Sequence, residues 1–152
     1  MNKGWLAAVG AMLTLWVIVL GAPWFGSRIA ASRIPDPDSA EMRAEVARVA
    51  GLAAREDFPK GANCAVKVLR VEAATTWAWA HCVGWQSSND GYLEAGWSSP
   101  IRVDGQVVVR PEDGANNGSS VKEMMPWDLR HLVLRNPGKA QPAEPQLPAK
   151  PG

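Results

Sequence analysis

The sequence predicts an α+β protein: an N-terminal transmembrane helix, then a helix packed on a four- to five-stranded antiparallel sheet, then a short C-terminal helix. Three observations predict it. Residues 4–27 carry no charge; residues 42–53 place apolar side chains at helical spacing; residues 64–110 form short alternating runs separated by turn signals.

The run from Gly4 to Ser27 supplies the roughly 20 apolar residues that a helix needs to cross a bilayer core. Trp5 and Trp24 stand near its ends, where indole rings favour the headgroup level. Cleaved signals have apolar regions of about 7–15 residues, and Pro23 obstructs cleavage after Gly21-Ala22. The expectation is therefore an uncleaved signal anchor. Ile29-Ala30-Ala31 offers a weaker cleavage site, which leaves secretion as the alternative. No cysteine ends the run, so a lipoprotein signal is excluded. Lys3 and the amino terminus balance Arg28 and Arg33 in the positive-inside count. The cysteine pair breaks the tie in favour of a cytoplasmic segment 1–3 and an extracytoplasmic remainder. Residues 28–37 read as a juxtamembrane linker, because Pro35 and Pro37 hold the chain extended.

Asp38 or Ser39 opens the first helix of the domain, with Asp38 and Glu41 at capping-box spacing. The helix runs to about Glu56 and aligns Met42, Val46, Val49 and Ala53 on one face. Cys64 to Glu72 and Thr75 to Trp85 then form a hairpin. If Cys64 faces Cys82, then Val66 meets Ala80, Lys67 meets Trp79, Val68 meets Ala78 and Leu69 meets Trp77. That register sorts Cys64, Val66, Val68, Ala78, Ala80 and Cys82 onto one face, and Leu69, Val71, Trp77, Trp79 and His81 onto the other.

Beyond the turn cluster Ser87–Gly91, Tyr92 to Trp97 forms the next strand. Ile101 to Val103 and Gln106 to Arg110 flank the hairpin signal Asp104-Gly105. Pro111 to Gly118 is a loop. Ser119 or Ser120 caps a helical turn ending at Met124, and Pro126 starts a last helix to about Asn136, with Leu129, Leu132 and Val133 as its apolar stripe. From Pro137 to Gly152, five of sixteen residues are proline, a composition that reads as a disordered tail. The folded unit is thus 38–136. Its element order resembles the cystatin-like and NTF2-like folds, in which a long helix lies across a curved antiparallel sheet. Such folds host many activities, so the resemblance implies an architecture and no function.

A net charge of +1 with no run of basic residues argues against a nucleic-acid partner. Cys64 and Cys82 match neither the spacing of a redox motif nor that of a zinc site, and the register makes them a cross-strand disulfide. Trp77 and Trp79 are expected under the Met42–Ala53 helix. Trp85, Trp97 and Tyr92, beside turns, are the candidate binding residues, since aligned aromatics anchor partners or stack on sugars. Asp128 and His131 are the nearest approach to a base and its orienter, without a nucleophile motif beside them. His81 reads as structural, and Asp90, Asp104, Glu112 and Asp113 lack a calcium-loop pattern. Asn117-Gly118-Ser119 matches a glycosylation sequon. No catalytic residue, metal ligand or cofactor is assigned. The expected role is an accessory subunit docking on an envelope protein. The alternative is a binding module for a wall glycan or small apolar ligand.

Overall fold

The computed structural model describes residues 30–31, 33–58, 61–88 and 91–150. The expected transmembrane helix and the segment before it lie outside these residues. Among the described residues, no helix is long and apolar enough to cross a membrane.

Helix α1 spans Ala40–Asp57. Ser39 is its N-cap: the Oγ accepts the Met42 N–H at 3.2 Å, satisfying one of the donors that a helix start leaves unpaired. Four strands follow as an antiparallel meander in the order β1-β2-β3-β4: β1 Ala62–Glu72, β2 Thr75–Ser88, β3 Gly91–Asp104 and β4 Val107–Val109. The turn between β1 and β2 holds Ala73 at φ 51°, and the turn between β3 and β4 uses Gly105 at φ 60°. Gly105 adopts that conformation without steric cost, whereas alanine does not.

The segments expected as separate strands at 92–97 and 101–103 are one continuous strand. Ser98-Ser99-Pro100 suggests a break because proline cannot donate to a ladder. Here Pro100 pairs only with β2, opposite Trp79, because β4 opposes only Arg102–Asp104. The outer edge of β3 at Pro100 has no ladder to lose.

The β1–β2 register places Cys64 opposite Cys82, Val66 opposite Ala80, Lys67 opposite Trp79 and Val68 opposite Ala78, as expected. Leu69 does not face Trp77. A bulge between Val68 and Arg70 sets Arg70 there instead. Strict alternation would send Leu69 and Arg70 to opposite faces. The extra residue lets both serve one face, where Leu69 is buried in a cluster with Trp79 and Leu132 and Arg70 pairs with Asp128.

The two sheet faces are covered by different parts of the chain. One presents Ala78, Ala80, Cys82, Ile101 and Val103, and packs with Val49 and Ala53 of α1 and with Phe58. Gly84 lies beneath Phe58; a Cβ on it would come within 2.8 Å of both the Phe58 ring and the Gly61 carbonyl. The other face presents Trp77 and Trp79. The expectation that α1 covers these indoles is corrected: they pack with Val121, Met124, Met125, Leu129 and Leu132. Those residues belong to or adjoin α2 (Asn117–Met124) and α3 (Trp127–Arg135), which follow a single 3-10 turn at Gly114–Asn116. Small side chains under α1 permit close approach of a helix, and the broad indoles are met by the larger side chains of the C-terminal helices.

The proline-rich stretch that composition reads as disordered forms a turn of helix, α4 (Pro137–Ala140), and then runs along the domain. Ala140 is fully buried in the same cluster as Ala30.

Candidate functional site

Cys64 and Cys82 are joined as a disulfide, with Cα atoms 4.1 Å apart. Adjacent antiparallel strands bring directly opposed residues to such distances at non-hydrogen-bonded positions. The bond closes a sequence separation of 18 residues.

The three aromatic residues proposed as a binding platform are not brought together. Trp85 lies opposite Glu94, and Tyr92 opposite Ser87, so both occupy the sheet face that carries Trp79. Trp97 lies opposite Cys82 and occupies the other face. Trp97 is half-buried beside the α1 cluster. The Arg110 guanidinium sits 4.8 Å from its ring centroid and also pairs with Asp57 at 2.6 Å. One face of that indole is thereby occupied by a cation. A cleft of about 400 Å³ opens beside Trp97, lined also by Ser99, Arg110 and Asn117. The buried indole N–H of Trp97 meets no acceptor among the described residues.

Trp85 has a different occupant. Its Nε1 donates to the Pro148 carbonyl at 2.9 Å, and the Lys150 ammonium lies 5.7 Å from its ring centroid.

Asp128 and His131 are engaged with different partners. Asp128 is buried and accepts a hydrogen bond from Arg70, an ion pair joining α3 to the bulge in β1. His131 instead meets Trp127 edge-to-face at a centroid distance of 5.7 Å. Among the described residues, no group of three or more His, Cys, Asp or Glu side chains is placed to hold a metal ion.

One surface was not singled out from the sequence. Trp127, His131 and Leu134 follow one another at spacings of four and three along α3 and share its outer face. Trp127 is 52% exposed and Leu134 41%. Their helical spacing was a legible signal, but it lies beside the stronger stripe of Leu129, Leu132 and Val133, which is buried.

Comparison with protein-family models, curated proteins and solved structures finds no match to this chain.

Proposed function

We propose that the protein is an extracytoplasmic protein-interaction domain, held to a membrane by its N-terminal segment and serving as an accessory subunit of an envelope complex. The observation that carries this reading is the exposed Trp127–His131–Leu134 stripe. Tryptophan is the side chain most often found to dominate the energetics of an interface, and a half-exposed indole braced by a histidine is pre-positioned to enter a partner's pocket. The disulfide supports an oxidising compartment. The uncharged run of residues 4–27 supports a membrane anchor.

A photo-crosslinking residue in place of Trp127, in the full-length chain expressed in its native host, tests the reading. The expected result is a discrete adduct with an envelope protein that disappears when Leu134→Asp is added. Absence of any adduct would overturn it.

The second reading, a glycan or small-ligand module, is supported by the cleft beside Trp97 with its unpaired indole N–H. Titration with wall fragments should then quench the fluorescence of the native chain and not of Trp97→Phe. An equal response from both would remove it.

A further inference from the structure

The C-terminal stretch carries prolines at positions 142, 145, 148 and 151, one every third residue. A polyproline II helix has three residues per turn, so that spacing puts the prolines on one edge. Gln141, which opens the stretch, has φ −70° and ψ 142°, the polyproline II conformation. From Gln141 to Lys150 the burial follows the same period: Pro142, Pro145 and Pro148 are half-buried, and every residue between them is exposed.

The domain meets this stretch with two donors, Asn63 Nδ2 to the Gln146 carbonyl at 2.7 Å and Trp85 Nε1 to the Pro148 carbonyl, and Lys67 Nζ holds the end of α4 just before it by donating to the Lys139 carbonyl at 2.7 Å. The three donors share a sheet face, since Asn63 and Lys67 stand opposite Val83 and Trp79. The tail thus runs antiparallel to β1, across the end of that face beyond the C-terminal helices. Polyproline II leaves its backbone carbonyls free of internal hydrogen bonds. An indole N–H and an amide aimed at such carbonyls is part of the chemistry by which aromatic grooves bind extended proline-rich peptides.

From this geometry we infer that the sheet face around Asn63 and Trp85 is a receptor for polyproline II segments. The tail is its resident ligand, and a partner's proline-rich segment with the same three-residue spacing displaces it. This surface is separate from the α3 stripe, and neither reading depends on the other. Because the tail follows α4 directly, its effective concentration at the groove is on the order of millimolar or higher. A free ligand must therefore compete with it.

The test uses the full-length chain and a dye-labelled peptide of residues 139–152. The P145G/P148G double variant removes two of the docking prolines and frees the groove. It should bind the peptide at least tenfold more tightly than the native chain does. A peptide of the same composition with its prolines off the three-residue spacing should bind at least tenfold more weakly. Adding Trp85→Phe, which keeps a ring and removes the N–H donor, should weaken binding by at least fivefold. No binding to the released chain, or equal binding of both peptides, would overturn the proposal. Trp85→Phe alone gives a measurement that does not depend on the double variant folding. It should raise the rate of elastase cleavage after Ala149, the residue next to the Trp85 contact at Pro148, by at least threefold, and an unchanged rate would show that the indole does not hold the tail.

Discussion

Beneath α1 the central strand β2 offers Ala78, Ala80 and Cys82, with Ile101 and Val103 of β3 beside them; on its reverse β2 offers Trp77 and Trp79. The first face is closed by one continuous helix of 18 residues. The second needs helices of eight, nine and four residues, with the tail beyond them. The contrast shows how side-chain size sets the kind of cover a sheet requires. Small residues give a flat floor on which a straight helix lies close. Large indoles leave an uneven surface that shorter pieces fill from several directions. The two faces should therefore respond differently to substitution.

The largest effect is expected on the indole face. Leu132 is fully buried, and Leu132→Ala should cost about 4 kcal/mol, within the range for deep leucine truncations. Val49→Ala on the buried face of α1 should cost about 2 kcal/mol, as two fewer carbons are buried. Denaturant unfolding of both variants checks this, and equal losses would break the comparison.

Next comes the disulfide. Replacing both cysteines by alanine should cost about 3 kcal/mol, the loop-closure value for a separation of this length, and the native chain in reductant should lose a similar amount.

A smaller effect tests the closeness of the α1 side. Gly84→Ala should destabilise by about 2 kcal/mol, because the added methyl collides with Phe58 and a backbone carbonyl. Gly51, on the exposed side of α1, has nothing within 4 Å of a built Cβ. There, Gly51→Ala should stabilise by about 0.8 kcal/mol through helix propensity alone. Thermal midpoints that moved in the same direction for both would contradict the packing described.

The smallest effect concerns pH. The Glu45 carboxyl is held below its ordinary value of 4.5, first by the hydrogen bonds from Arg48, against a burial cost, with help from Thr76. A carboxyl whose folded value is depressed stabilises the fold above its unfolded value, and that contribution is lost as pH falls through the folded one. Glu45→Gln should thus lower stability at pH 7 by under about 1 kcal/mol. The gap from the native chain should narrow as pH falls below 4.5 and close once pH passes below the depressed folded value. A constant gap across that range would assign the effect to packing.

Much of the α1 side was legible from residue order. Met42, Val49 and Ala53 repeat at helical spacing, and alternation in β1 and β2 fixed the pairing of Cys64 with Cys82. The other side was harder to read, for physical reasons. Nothing at 68–70 marks the bulge, since no glycine or proline stands there. It is imposed by Leu69 and Arg70 both finding partners on α3, some sixty positions away in the chain. Which helix covers which face is likewise a long-range matter that local periodicity does not encode. Trp85 and Trp97 were visible as aromatics beside turns, but Cα parity across β3 decides that they point apart. The composition of the tail offers few side chains for a core of its own. The three-residue spacing of its prolines was the signal that it could instead lie on a core made by others.

The burial of Ala30 bears on how far the domain can reach. On the membrane-anchored reading, only Arg28 and Ile29 separate the last residue of the uncharged run from an alanine with no exposed surface. Three backbone steps span at most about 11 Å. Such a leash is shorter than the domain itself, so the domain could neither tumble nor scan the space beyond the headgroups. It would sit against the bilayer with one side permanently turned down, and any partner would have to approach within the plane of the membrane or from the side turned away from it.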